Sequence, residues 1–134
     1  MKFEEKYYTE EEYVKLVTDT IGYYSPHTKH NIIVCEEDNK IVAVFNAFTF
    51  APTTLFLHYT WFSEEYKKKI KKLKYWTGFC NHIKELGYNK IIGIINNNNT
   101  PALIWALKTG WVVIGTRLDN GNNLLIEVAK SLEV

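Results

Sequence analysis

The sequence predicts an α+β fold that borders on α/β, and three observations carry that prediction. Apolar residues switch along the chain between the every-second spacing of strands and the three-to-four spacing of helices. Strand-like and helical segments alternate in the second half, which implies a parallel strand pair inside a mixed, twisted sheet flanked by helices. Near the C-terminus an Asn120-Gly121 step between two apolar runs signals a β-hairpin.

The elements follow in order. "TEEEYVKLVTDTIG" opens with Thr9 and Glu12 as a capping box, sets Tyr13, Leu16, Val17 and Ile21 on one face, and stops at Gly22, so it reads as a helix. Residues 31–35 and 41–48 are β-rich runs joined by a polar turn, a first hairpin. Residues 54–62, "TLFLHYTWF", form an aromatic-rich strand. The next segment places Tyr66, Ile70, Leu73, Thr77, Cys80 and Ile83 at helical spacing and ends at Gly87, a natural left-handed terminator. "NKIIGII" is too apolar to have a wet face and belongs in the middle of the sheet. Thr100, with Pro101 in the first turn, reads as the N-cap of a short helix closed by Gly110, and residues 111–130 supply the final hairpin.

A chain of 134 residues with 46% hydrophobic content buries one substantial core, so a single domain spanning residues 1–134 is expected. Lys+Arg 16 against Asp+Glu 15 leaves a net charge of +1, which lacks the global pull of a nucleic-acid binder. Cys35 and Cys80 lie in apolar runs without a partner at metal-ligand spacing and read as reduced core thiols. His27 and His30 share the "SPHTKH" loop without a third ligand nearby, so no metal site is expected. "MKFEEKYYTEEEY" has no apolar export core and no run of ~18 apolar residues occurs, which predicts a cytoplasmic chain without a membrane partner. In that setting Asn98-Asn99-Thr100 is turn chemistry, not a glycosylation acceptor.

The stretch "NTPALIWALKTGWVVIGTRLDNGNNLLIEV" resembles the C-terminal signature of the GCN5-related N-acetyltransferase (GNAT) superfamily, with Asn99, Ala102 and the Gly110-Trp111 pair at its spacing. The likeness is specific over residues 91–128 and topological before them. Among subgroups, "PALIWALKTGW" looks most like the small GNAT-like proteins of tailed bacteriophages, which implies a place in the host cytoplasm or the virion. The resemblance implies a GNAT-like fold in which the fourth and fifth strands splay to admit acetyl-CoA. It also implies that Asn99 and the backbone amides near Phe62 contact that cofactor.

Two departures from the family pattern bear on chemistry. The family's cofactor loop is glycine-rich, because glycine lets bare backbone N–H groups approach a diphosphate at a helix N-terminus. Here the segment is "SEEYKKKIKK", with no glycine between Gly22 and Gly78. Lys67, Lys68, Lys69 and Lys71, with Lys72, are placed to hold a diphosphate by charge; the alternative is a solvated helix face. Glu64 and Glu65 beside them suit a helix start but repel an incoming phosphate. The family's thiolate-protonating tyrosine falls at Ala106, one residue after Trp105, which reads as packing. The base that deprotonates an amine falls to His58, Glu36 or Glu37; His58 alternates in phase with Phe56 and Phe62, which equally suits a hydrogen-bonded core histidine.

Two functions remain open on these residues. One is an acyl-CoA-dependent N-acetyltransferase whose partners are acetyl-CoA and an amine acceptor. The other is a non-catalytic GNAT-fold assembly or virion protein, whose partners are other proteins or copies of itself.

Overall fold

The computed structural model describes residues 1–6, 11, 15, 31–63 and 69–133. Glu11 and Lys15 are helical and exposed; the rest of the helix expected over residues 9–22, the "SPHTKH" loop, and Glu64, Glu65, Tyr66, Lys67 and Lys68 lie outside the described residues. The elements are β1 (Lys2–Lys6), β2 (Asn31–Glu37), β3 (Lys40–Ala51), β4 (Thr54–Phe62), α1 (Lys69–Glu85), β5 (Lys90–Asn96), α2 (Thr100–Lys108), β6 (Val112–Leu118) and β7 (Leu124–Ser131). The seven strands follow the order β1-β2-β3-β4-β5-β7-β6, with β4 and β5 parallel and the β1–β2, β2–β3, β5–β7 and β6–β7 pairs antiparallel. This is the mixed sheet with a C-terminal hairpin that the periodicity predicts. The chain forms two compact units, Met1–Phe48 with Tyr59–His82, and Thr49–His58 with Ile83–Val134.

The first unit is built around aromatic rings. Phe45 and Phe79, both fully buried, stack with centroids 4.0 Å apart and planes 3° from parallel, and Phe62 meets Phe45 edge-on at 6.0 Å. The buried face of α1 is Tyr75, Trp76, Phe79, Cys80 and Ile83, so the helix is turned relative to the expected face: Leu73 and Thr77 are exposed. Large rings bury more apolar area than a leucine or threonine, and they decide which side faces inward. β1 is a strand that periodicity misses, because "KFEEK" offers only one apolar anchor. Its Phe3 stacks on His82 at 5.6 Å and lies over Gly78, where an added Cβ would meet the Phe3 ring at 2.8 Å. The β2–β3 turn is a two-residue link in which Asp38 and Asn39 both have positive φ, the geometry that matches strand twist.

In the second unit β5 is central, paired with β4 on one side and β7 on the other. α1 ends there as expected: Gly87 has φ 103°, the Tyr88 N–H donates to the Ile83 carbonyl, and the Gly87 N–H donates to that of Lys84. The final hairpin differs from a two-residue Asn-Gly turn. Its left-handed residue is Asn122, and the Asp119 carboxylate closes the loop by accepting from the Gly121 N–H at 2.8 Å and the Asn123 N–H at 2.9 Å. An Asx cap with an asparagine tolerating positive φ outcompetes the Asn-Gly step here.

Candidate functional site

The candidate site is clearest in the second unit, at the carboxyl end of β5. The parallel ladder sets residues 54–57 against residues 90–93 and, among the described residues, goes no further, although β4 runs on to Phe62 and β5 to Asn96. His58 is half-buried on β4, one position past the last pair, Leu57 and Gly93.

The loop that leaves β5 is held by its own asparagines. The Asn97 N–H donates to the Leu124 carbonyl, the Asn98 N–H to Asn96 Oδ1, and the Asn99 N–H to the Asn96 carbonyl. Asn99, not Thr100, is the N-cap of α2: its Oδ1 accepts from the Ala102 N–H at 3.3 Å, and its carbonyl takes the first helical bond, from the Leu103 N–H. An asparagine caps as well as a threonine, and with either cap Pro101 stays in the first turn, where its missing N–H costs nothing. Capping uses only the oxygen of the exposed Asn99 carboxamide, so its Nδ2 keeps donor capacity. At the other end Thr109 Oγ1 donates to the Trp105 carbonyl, the Trp111 N–H donates to that of Ala106, Gly110 has φ 92°, and Lys130 Nζ donates to the Thr109 carbonyl at 2.7 Å. A nine-residue helix is marginal alone, and caps at both ends hold it in place. We expect Asn99→Ala to cost about 1 kcal/mol and Thr100→Ala less than about 0.5 kcal/mol. Thermal melts of the pair check this, and the reverse ranking would restore Thr100 as the cap.

The first unit holds the remaining sequence-predicted residues. Phe62 is buried, edge-on to Phe45, with Lys72 Nζ 5.4 Å from its ring centroid, so its side chain packs in the core. The Ser63 N–H donates to the Val42 carbonyl. Backbone groups alternate sides along a strand, so the Phe62 and Thr60 N–H groups point to the opposite edge of β4. Lys71 is exposed in the first turn of α1, which contains Lys69 and no acidic residue.

Glu36 is half-buried, with Lys2 and Ile41 as its register partners. Its neighbour Glu37 accepts from the Tyr75 hydroxyl and, at 3.2 Å, from Lys74 Nζ. These two bonds, the tyrosine's first, hold the Glu37 carboxyl below the usual carboxylate range, which makes it a weak base. Burial pushes the Cys35 thiol up to about 11, so it stays protonated and is no nucleophile. Because the folded-state value of Glu37 is depressed, its stabilisation is present above the unfolded value and lost as pH falls through the folded one. We expect Glu37→Gln to flatten the acid limb of the unfolding curve, measured by urea denaturation at several acidic pH values; an unchanged limb would show that the Tyr75 and Lys74 bonds contribute nothing.

Sequence reasoning missed Asn96, which holds the β5–α2 loop, and Lys130, which bonds the C-terminal end of α2; asparagine beside a capping position was the available signal for the first, and nothing local marked the second. Among the described residues no group of His, Cys, Asp and Glu is arranged to hold a metal, and no helix is long and apolar enough to cross a membrane.

The strand order and the element sequence define the fold of the GNAT acetyltransferases. Among the solved structures that share it are the following three. A GNAT family acetyltransferase from Elizabethkingia anophelis with acetyl-CoA bound has TM-score 0.68 and 12% identity, covering 97% of each chain. An acetyltransferase from Bacillus subtilis in complex with CoA has TM-score 0.72 and 14% identity, again over 97% of each chain. The ribosomal-protein-S18-alanine N-acetyltransferase from Escherichia coli has TM-score 0.71 and 9% identity, covering 99% of this chain and 96% of its own. The sequence matches no protein-family model and no curated protein.

Proposed function

We propose that the chain is an acyl-CoA-dependent N-acyltransferase that takes acetyl-CoA as donor and an amine as acceptor. The observation that carries this reading is the parallel ladder that stops at Leu57 and Gly93 and leads, through β5, into a self-bonded asparagine loop and a doubly capped helix. Ligands of sheets with parallel strands gather beyond the strands' carboxyl ends, and two proteins of this fold hold acetyl-CoA or CoA.

Taken by itself, each unit carries groups suited to part of such a cofactor. In the first unit the described start of α1 is free of acids and carries Lys69 and Lys71, with Lys67 and Lys68 just before it in sequence; these cations attract a diphosphate without needing glycine. In the second unit Asn99 Nδ2 is a donor for a carbonyl of the pantetheine arm. Acetyl-CoA brings an acyl group already activated as a thioester. The acceptor nitrogen must shed one proton as it attacks, and His58, at the end of the ladder, takes it. Glu36, beside a carboxylate tied to Lys74 and Tyr75, is the weaker choice. Ala106 has no proton to give, so the leaving sulfur is protonated by solvent.

Calorimetric titration with acetyl-CoA and free CoA tests the proposal: saturable micromolar binding is expected, and no heat at high micromolar cofactor would end it. If the lysines act by charge, replacing Lys67, Lys68 and Lys69 together with Ala weakens CoA binding and flattens its dependence on salt, with the melting temperature unchanged. Unchanged affinity would show a solvated helix face. The second reading, a non-catalytic assembly protein such as a phage virion component, is favoured by β6, where Val112, Val113 and Ile114 are all exposed. The same titration separates the two.

A further inference from the structure

We propose that Asn120 is a site of spontaneous deamidation in this chain, and that the Asp119 carboxylate sets its rate by holding the Gly121 N–H. Neither residue enters the acyltransferase reading.

The chemistry is intramolecular and consumes only water. The Gly121 backbone nitrogen loses its proton to solvent and attacks Asn120 Cγ. The new N–Cγ bond closes a succinimide ring, the Cγ–Nδ2 bond breaks, and Nδ2 leaves as ammonia. Water then adds to one of the two ring carbonyls, and ring opening gives aspartate or isoaspartate. A side chain on the following residue hinders the attack, whereas glycine leaves the nitrogen open to close approach. Of the chain's asparagines only Asn120 is followed by glycine, and it is exposed in the β6–β7 turn. Its carboxamide takes no part in the bonds that close the turn, so it is the electrophile most open to attack.

The turn withholds the nucleophile instead. The Gly121 N–H donates to Asp119 Oδ1 at 2.8 Å, the same oxygen accepts from the Asn123 N–H at 2.9 Å, and Oδ2 accepts from Asn123 Nδ2 at 3.1 Å. Two main-chain bonds close the same five residues: the Asn122 N–H donates to the Asp119 carbonyl and the Asp119 N–H to the Asn123 carbonyl, each at 3.0 Å. Attack requires the Gly121 nitrogen to turn from Asp119 Oδ1 toward Asn120 Cγ, which breaks a charge-assisted bond. Charge raises the barrier further. The Asn123 N–H and side chain, with the Gly121 N–H, hold the Asp119 carboxyl below the usual carboxylate range, so it is an anion at neutral pH. That anion opposes the negative charge the nitrogen acquires on losing its proton. Asp119 also guards Asn122, because the nucleophile there is the Asn123 N–H. In the Asn96–Asn99 run each asparagine is followed by a residue with a side chain, and the N–H groups of residues 97–99 are all bonded.

The test incubates the full chain in mildly alkaline buffer and follows the amide-to-acid mass gain by peptide mapping. Asp119→Ala is expected to convert Asn120 at least about tenfold faster than the parent, the weight of a lost hydrogen bond to a charged acceptor. Asp119→Asn, which keeps an oxygen for the Gly121 N–H and removes the charge, is expected to fall between the two. Amide hydrogen exchange on the parent is expected to find the Gly121 N–H protected. Since Asp119→Ala also loosens the turn, Asn123→Ala serves as the control: it removes the Asn123 Nδ2 bond, keeps that of Gly121, and is expected to stay near the parent rate. An Asp119→Ala rate equal to the parent's, an unprotected Gly121 N–H, or conversion appearing first at another asparagine in Asp119→Ala would overturn the inference. Asn123→Ala reacting as fast as Asp119→Ala would overturn it too, by assigning the protection to the turn as a whole.

Discussion

Phe79→Ala is expected to lose about 3–5 kcal/mol of folding stability, the range for emptying a buried phenylalanine site. Phe79 is fully buried and its ring lies flat on that of Phe45, 4.0 Å away and 3° from parallel. Phe45 in turn meets Phe62 edge-on at 6.0 Å and lies 6.3 Å from both Trp76 and Phe3, so the ring removed belongs to a connected cluster that ties α1 to β1, β3 and the end of β4 within the first unit. An alanine leaves a cavity that rigid neighbouring rings cannot close by small shifts, which places the cost at the upper part of that range. Against a total stability of about 5–15 kcal/mol the first unit is left near its unfolding threshold. Urea denaturation measures the loss, and Phe79→Leu, which keeps most of the volume, is expected to lose distinctly less. A loss below about 1 kcal/mol for the alanine variant would show that the site collapses and that the stack is not central.

His58→Ala is expected to lower the rate of acetyl transfer by about 10²–10⁴, the usual contribution of a positioned general base. The effect falls on kcat, with calorimetric acetyl-CoA affinity retained, because the imidazole is assigned to the acceptor's proton and not to cofactor binding. Added imidazole is expected to restore part of the rate, which a purely structural histidine would not allow. If His58→Ala instead melts early and the surviving folded protein turns over normally, the residue is a core histidine on β4. The base then has to be sought at Glu36, whose Glu36→Gln variant is the matching control. His58 comes first because it follows the last parallel pair, whereas Glu36 is a β2 residue with Lys2 and Ile41 as register partners.

The sequence by itself determined the element order from residue 31 onward, the central place of β5, the stop of the long helix at Gly87, and the position of the capped short helix. These features rest on local physics: apolar spacing, left-handed glycines, and asparagine or proline at helix starts act within a few residues of chain. Even so, local signals ran out wherever two equivalent solutions competed. Asn99 and Thr100 are both good caps, and the helix start was decided by the whole asparagine loop, in which Asn96 and Leu124 accept N–H bonds from residues 97–99. The face of α1 was decided by the rings of Phe45 and Phe3 that it meets, so Tyr75, Trp76 and Phe79 displaced Leu73 and Thr77 from the interior. β1 exists only through pairing, since one phenylalanine among charges specifies a strand only when β2 and the bare surface at Gly78 are there to receive it. Register likewise belongs to the tertiary structure: it alone sets Glu127 on one face of the hairpin and Leu118 and Leu124 on the other, because a slip of one residue would exchange them.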